Sequence, residues 1–286
     1  MSVEITTAMV EQYKSNVVLL AQQKGSRLRS TVRNESVNGE NAYFEQIGAT
    51  AAQKKTSRHM DTPQIDTPHS RRKLSADDYV WADFIDNEDL IRTLINPTSP
   101  YAINAVNAFG RSIDDAIITA ASGTSYAGKA GGSAIILPDS QKIAHGSTGM
   151  TIAKLVAAKG IFWTNDIDED IPLHMCMSSE QFQDLLNNTT VTSSDYNSVK
   201  ALVKGEMNEF MGFTFHRSQR LTVASDIRTC IAWAQDGICL GIGADIHTKI
   251  SERNDKNHLT QVWCGMTIGA TRMEEKKVVE IGCDES

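Results

Sequence analysis

No apolar run in this chain comes near the ~18 residues that a membrane-crossing helix requires. The longest are a handful of residues, such as 134–137. The N-terminus has no basic segment leading into an apolar one, which argues against export through a signal peptide. Cysteine is sparse: Cys176, Cys230, Cys239, Cys264 and Cys283, an odd number with no CxxC spacing. Four of them sit in apolar or strand-like surroundings, so the expectation is buried free thiols in a protein made in a reducing cytosol, not disulfides or zinc ligands. The signatures of catalysis are missing too. There is no HExxH, no histidine spaced against Cys or Asp as a metal set, and no GxSxG elbow.

Two near-matches fall short on their own chemistry. Gly123-Thr124-Ser125-Tyr126-Ala127-Gly128-Lys129-Ala130 approaches a phosphate-binding loop. That loop needs Ser or Thr after the lysine to hold magnesium, and it must follow a strand and open a helix. Here Ala130 follows the lysine, and the flanking pattern is helix before and strand after, as in a flexible linker. Asp166, Asp168 and Asp170 begin like a calcium loop, but Ile171 stands where that loop turns on glycine and Met177 where it ends on glutamate. A solvated acidic turn is the plainer reading. His174 and Cys176 alternate along one apolar segment and so share a face, which suits a packed thiol better than a nucleophile with its base. No cofactor and no metal is expected.

What is present is enough chain, 286 residues, to bury a substantial core in one large domain or two coupled ones. With 41% hydrophobic and 22% charged residues, composition is that of a globular protein. The net charge of −7 is unevenly spread. Residues 1–75 hold 11 Lys and Arg against 7 Asp and Glu, a balance of +4; the remainder holds 17 against 28, a balance of −11. A basic, weakly apolar first quarter joined to an acidic body points to packing on neighbours. It lacks the dense basic face of a duplex-DNA binder.

The pattern along the chain is α+β. Residues 3–20 have helical spacing, stopped at Gly25, and Arg27, Arg29 and Arg33 lie in a polar strand-like stretch. Residues 36–75 are polar, contain Pro63 and Pro68, and show no helical period. A structureless loop of that length is rare inside a compact domain, so a projecting β-hairpin is expected. Two arms of ~19 residues at ~3.3 Å each would reach roughly 60 Å, a reach that has its use across another subunit. Tyr79, Trp81, Phe84 and Ile85 mark a half-buried strand, followed by a short helix around 90–94 that Asn96-Pro97 breaks. The clearest helix runs over 99–121, with Ile103, Val106, Ile113 and Ile117 as its stripe, Ala105, Ala108, Phe109, Ala116 and Ala120 beside it, and Gly123 as its stop. Beyond the Gly/Ser-rich stretch 122–133, strands are expected at 133–137, 173–177 and around Phe213 and Phe215. Helices are expected at 151–159, with Ile152, Leu155 and Val156 inward, and after the capping box Ser178-x-x-Gln181. Residues 228–234 and 238–242 read as a hairpin about Gln235-Asp236-Gly237. Residues 259–273 read as a long strand with Val262, Cys264, Met266 and Ile268 on one face, and 278–281 as its return after a turn.

That order resembles the tailed-phage major capsid protein of the Hong Kong 97-type fold, and local sequence supports the resemblance. Asn96-Pro97-Thr98-Ser99-Pro100-Tyr101-Ala102, running into Phe109-Gly110-Arg111-Ser112-Ile113-Asp114-Asp115, resembles the entry and body of that family's spine helix. Glu209-Phe210-Met211-Gly212-Phe213 and Arg217-Ser218-Gln219-Arg220-Leu221 resemble an axial-domain segment. Gly269-Ala270-Thr271-Arg272 and Val278-Val279-Glu280-Ile281 resemble the closing strands of the peripheral domain. The resemblance implies an N-terminal arm over 1–35, an extended loop over 36–75, a peripheral domain over 76–130 and 251–286, and an axial domain over 131–250. It implies a structural, non-enzymatic subunit of the virion, assembled in the host cytoplasm into hexamers and pentamers of an icosahedral shell. Its partners would be itself, a portal protein and, since these 286 residues are expected to leave no room for a fused scaffolding segment, a separate scaffolding protein; a decoration protein is compatible. The shell would enclose double-stranded DNA without reading its sequence, away from any membrane. Lys54, Lys55 and Arg58, near the loop tip, are the expected inter-subunit contacts, and in some members a loop lysine is welded to a neighbour's Asn. The alternatives are an encapsulin-like cage around protein cargo and, from another class, a nucleotide-binding hydrolase using Gly123 to Lys129.

Overall fold

The computed structural model describes residues 22–85, 98–187, 209–256 and 258–286. The helices expected at 3–20 and around 90–94, and the break at Asn96-Pro97, lie outside the described residues. The chain divides into two compact units. One comprises Met1–Ser26, Asp78–Ser112 and Ala244–Thr267; the other comprises Arg27–Asp77, Ile113–Gly243 and Ile268–Ser286.

The long helix, α1, is Thr98–Ser122. At ~1.5 Å per residue it is about 37 Å long. Its buried positions include Ala105, Phe109, Ile113, Ile117 and Ala121, a row at spacing four, with Asn107, Asp114 and Ile118 beside it, while Ile103 (48% exposed) and Val106 (38%) point outward. The expected face is thus buried at Ile113 and Ile117 and, beside them, at Ala105 and Phe109, while the stripe's first two members, Ile103 and Val106, fall outside it. Gly123 ends the helix as expected, its N–H donating to Thr119 O at 2.8 Å.

In the first unit, β4 (Asp77–Ile85) alternates, with Tyr79, Trp81 and Ile85 turned inward and Val80 and Phe84 outward. Phe84 and Ile85 are adjacent, so a strand cannot bury both on one face. In the long strands β13 (Ile238–Arg253) and β14 (Leu259–Arg272), Val262, Cys264, Met266 and Ile268 are buried as the alternation of β14 demands.

The second unit is built on a seven-stranded sheet. Its order is β7 (Lys142–Ile143), β15 (Val278–Asp284), β12 (Ile227–Ala234), β8 (Leu173–Met177), β10 (Phe213–Arg217) and β9 (Glu209–Phe210), with β11 (Val223–Ala224) on β12. Phe213 and Phe215 are buried on β10 as expected. Helix α2 (Ile152–Thr164) opens on Thr151, whose hydroxyl accepts from Lys154 N–H. It buries Leu155, Ala158 and Phe162 but leaves Val156 49% exposed, against expectation, because Val156 lies on the face opposite Ala158. Helix α3 (Ser179–Asn187) opens on the capping box: Gln181 Oε1 accepts from Ser178 N–H at 3.1 Å, and Ser178 Oγ accepts from Glu180 N–H at 3.2 Å.

Two expected strand returns are not made. The turn at Gln235-Asp236-Gly237 is tight, Gly237 N–H donating to Ala234 O at 2.8 Å. Yet β12 and β13 lie in different sheets, β13 belonging to the order β1 (Arg33–Ser36), β13, β14, β4. Likewise β15 does not run back along β14. It pairs antiparallel with β12, Cys230 opposite Ile281, and parallel with β7. Apolar alternation fixes which face of a strand is buried, not which strand lies beside it.

The third sheet has the order β2 (Asn41–Ile47), β3 (His69–Ser75), β5 (Ser125–Ala127), β6 (Ser133–Ile135). The Gly/Ser-rich stretch is thus a short hairpin and not a loose linker. Strands β2 and β3 pair from Asn41↔Ser75 to Ile47↔His69, seven rungs rather than the ~19 expected. One more bond, Gly48 N–H to Pro68 O at 2.8 Å, closes the ladder. Beyond it residues 48–68 contain no strand. Pro63 and Pro68 cannot donate to a ladder, and the segment has no alternating apolar face to fix a register. The paired base packs on a cluster of Val37, Leu74, Cys239 and Met273, with Ala42 and Phe44 against it. Gly241 permits this close approach, since a Cβ there would stand 2.6 Å from Val37 and 2.7 Å from Leu74.

Candidate assembly surface

The three residues singled out for inter-subunit contact, Lys54, Lys55 and Arg58, are all exposed in the segment beyond the β2–β3 ladder. None has a carboxylate partner among the described residues. The loop's base, by contrast, is heavily tied. On its outer face Arg71 Nε donates to Glu45 Oε1 at 2.6 Å and its guanidinium lies 5.4 Å from the Tyr43 ring centroid. On its inner face Gln46 Nε2 and Arg72 Nε both donate to Met273 O, at 2.6 and 2.8 Å. Arg72 Nη2 reaches both oxygens of Glu275, at 2.8 and 2.7 Å.

Glu275 also faces Arg272, whose Nε is 3.7 Å away. Arg272 is fully buried. Its Nη1 donates to Ala121 O at 2.9 Å and Gly123 O at 2.7 Å, and its Nη2 to Ile135 O at 3.0 Å. These are carbonyls at the C-terminal end of α1 and the edge of the β5–β6 hairpin. A guanidinium there satisfies acceptors the helix cannot, and sits where the helix dipole favours positive charge. Burial pushes the Arg272 pKa down while Glu275 holds it up. One carboxylate thus joins the loop base to the cap of the long helix. Neither Arg72 nor Glu275 stood out in the sequence. Arg272 did, inside Gly269-Ala270-Thr271-Arg272, but without a role.

The other motifs that carried the resemblance also meet. Asp115 of α1 is ion-paired with Arg220. Asp114, fully buried, accepts from the backbone N–H of Arg27 at 3.1 Å and of Leu28 at 3.1 Å. The stretch entering β1 is held further by Trp233, whose Nε1 donates to Thr31 O at 3.0 Å. Lys154, 8% exposed, donates to four carbonyls: His145, Thr148, Gly149 and Gly282, at 2.7–2.9 Å. It clamps α2 to β15. Lys154→Met keeps the stem but removes all four charge-assisted bonds, although His145 O and Thr148 O keep backbone donors in Thr148 and Asp284, and should lower stability by about 2–3 kcal/mol in urea unfolding of the unassembled subunit.

The Gly123-to-Lys129 stretch forms β5 and its turn into β6, so it leads into a strand and opens no helix. Among the described residues no three His, Cys, Asp or Glu side chains are grouped to hold a metal. All five cysteines are free and buried. Burial, with Asp114 nearby, pushes the Cys176 thiol up to about 12, far from a thiolate at neutral pH. His174 instead pairs with His216 across β8 and β10, Nδ1 to Nε2 at 3.2 Å, both rings lying beside Trp233.

Burial lowers the pKa of both histidines, and His174 lowers that of His216 further, to about 4. In the unfolded chain each would protonate near 6.5. The unfolded state therefore binds more protons between pH 6.5 and 4, and stability should fall as pH drops through that window. After allowance for partial exposure the loss is about 1–3 kcal/mol. Urea midpoints taken across pH 4–7 should show the slope, and His216→Gln should flatten it.

Comparison with known proteins gives the arrangement its context. The model of a family described as phage capsid protein matches residues 5–285. The chain belongs to that family. It is a structural major capsid protein, a component of the virion shell. No curated protein sequence matches it. Among solved structures it is similar to the capsid of cyanophage P-SCSP1u, with TM-score 0.75 and 17% identity over 97% of this chain and 94% of that one. It is also similar to the capsid of Ralstonia phage GP4, with TM-score 0.72 and 10% identity over 96% and 95%. The cyanophage Pam1 capsid gives TM-score 0.71 and 11% identity over 98% and 97%. The capsid protein therefore has the Hong Kong 97-type fold, mixed α+β, as its sequence pattern implied.

Proposed function

We propose that this capsid protein assembles into hexamers and pentamers of an icosahedral shell enclosing double-stranded DNA, with no catalytic activity of its own. The observation that carries this reading is the family match across residues 5–285. The exposed basic loop tip supports it, as a group of cations without carboxylate partners among the described residues. In this reading residues 1–35 act as an N-terminal arm and 36–75 as the extended loop. The peripheral domain comprises 76–130 with the strands from 251, and the axial domain 131–250. Because Val278–Asp284 pairs with β12, we assign that last strand to the axial sheet. Assembly takes place in the host cytoplasm, with a separate scaffolding protein setting curvature and a portal protein at one vertex.

Electron microscopy of the purified chain, expressed alone and with the scaffolding protein encoded beside it, tests this directly. Co-expression should give uniform closed particles, and the chain alone sheets, aberrant shells or small oligomers. Uniform full-size particles from the single gene would remove the scaffold from the proposal. A chain that forms no ring or shell under either condition would overturn it.

A further inference from the structure

One concave site in the second unit is used by nothing described so far. It has a volume of about 530 Å³ and is lined by Arg27, Met177, Phe182, Phe215, His216 and Arg217. Met177 and Phe215 are buried and form an apolar floor. The Arg217 guanidinium lies 5.4 Å from the ring centroid of Phe182, a cation–π arrangement that holds it at the rim. Arg27 Nη1 donates to the backbone oxygen of Arg217 at 2.6 Å, which places the second guanidinium at the main chain of the first arginine, and both residues line the site. Neither arginine has a carboxylate partner among the described residues. The nearby carboxylate, Asp114, is buried and takes the backbone N–H groups of Arg27 and Leu28.

An apolar floor under two guanidinium groups that have no carboxylate partner among the described residues suits a carboxylate carried next to an apolar side chain. We propose that this pocket receives an acidic residue, presented beside an apolar one, from a second copy of the chain. Charge complementarity selects that occupant. Residues 76–286 carry 28 Asp and Glu against 17 Lys and Arg, so any neighbour offers an acidic body to the site. Forked donors on Arg217 and Arg27 would meet the carboxylate and Phe182 the apolar group. This inference rests on the shell reading above.

The test uses the full chain, unassembled and assembled, with N-acetyl-L-phenylalanine as probe and its neutral amide as control, followed by saturation-transfer NMR. The carboxylate should bind the unassembled subunit at least about tenfold better than the amide. Arg217→Gln should abolish that preference while leaving the melting temperature unchanged. Should that variant fold poorly, Phe182→Leu, which removes the ring and keeps an apolar side chain, should weaken the probe in the same sense. Assembled particles should show no probe signal, because neighbours fill the pocket, and Arg217→Gln should cut particle yield by about tenfold. Equal binding of acid and amide, or indifference to both variants, would overturn the carboxylate site. Particles that bind the probe as well as free subunits do would overturn the second copy as occupant. Particles that form with the pocket open separate this failure from failure of the shell reading, which electron microscopy shows as the absence of particles.

Discussion

Arg272→Ala should remove about 3–5 kcal/mol from the stability of the subunit, enough to abolish soluble expression in a protein of ordinary stability. The side chain is fully buried and donates to Ala121, Gly123 and Ile135 carbonyls. Truncation takes a donor from the Ala121, Gly123 and Ile135 carbonyls, of which Ile135 O keeps Ser125 Oγ, and leaves a cavity of guanidinium size and Glu275 with one arginine where it had two. Arg272→Lys should recover only part of the loss, since one ammonium cannot span two groups of carbonyls as a fork does. Urea unfolding of the unassembled protein measures both. A loss under about 1 kcal/mol for Arg272→Ala would mean that water replaces the guanidinium at the helix end.

Reversing the loop tip should act in the opposite way, on assembly and not on the fold. Lys54, Lys55 and Arg58 are exposed and make no ion pair within the described chain, so Lys54→Glu, Lys55→Glu and Arg58→Glu together should leave thermal unfolding of the isolated subunit nearly unchanged. If the tip meets acidic groups of an adjacent subunit, each exposed pair contributes only about 0–1 kcal/mol. Around a closed ring the contacts form together, so a small term per subunit is multiplied, and shell yield should fall by an order of magnitude or more. Normal shells from the triple variant, or a subunit that no longer folds, would defeat the assignment. A covalent weld at Lys54 or Lys55 is a separate matter. Boiling mature particles in detergent should release single chains, and a ladder of multimers would show the bond.

How far the sequence led depended on whether a feature is local. Strand β8, the Ser178 capping box and the buried face of β14 each depend on a few consecutive side chains, and their outlines were legible. The pairing of β15 with β12 was not. Cys230 and Ile281 are fifty-one residues apart, and alternation of apolar residues is the same whichever neighbour a strand takes. The buried cations were hidden for a related reason. Nothing in the sequence marked Lys154 or Arg272 as buried, because charged residues seldom are, and only the carbonyls gathered around them make burial tolerable. At the assembly surface the limit is different in kind. The loop-tip residues were named from the sequence, but their proposed partners belong to another copy, so no single chain can display the contact.

The seven-rung base and ladder-free outer segment of the loop bear on how one sequence can close a shell. Fivefold and sixfold rings present a neighbour at different dihedral angles, yet every subunit is identical. The base, clamped by Gln46, Arg72 and Glu275, sets the direction in which the loop leaves its own subunit. The stretch 48–68, free of cross-strand bonds beyond Gly48, can then adjust its bend at little enthalpic expense. In the proposed shell, curvature would be absorbed over those twenty-one residues, while the folded units on either side of a ring contact keep the same geometry.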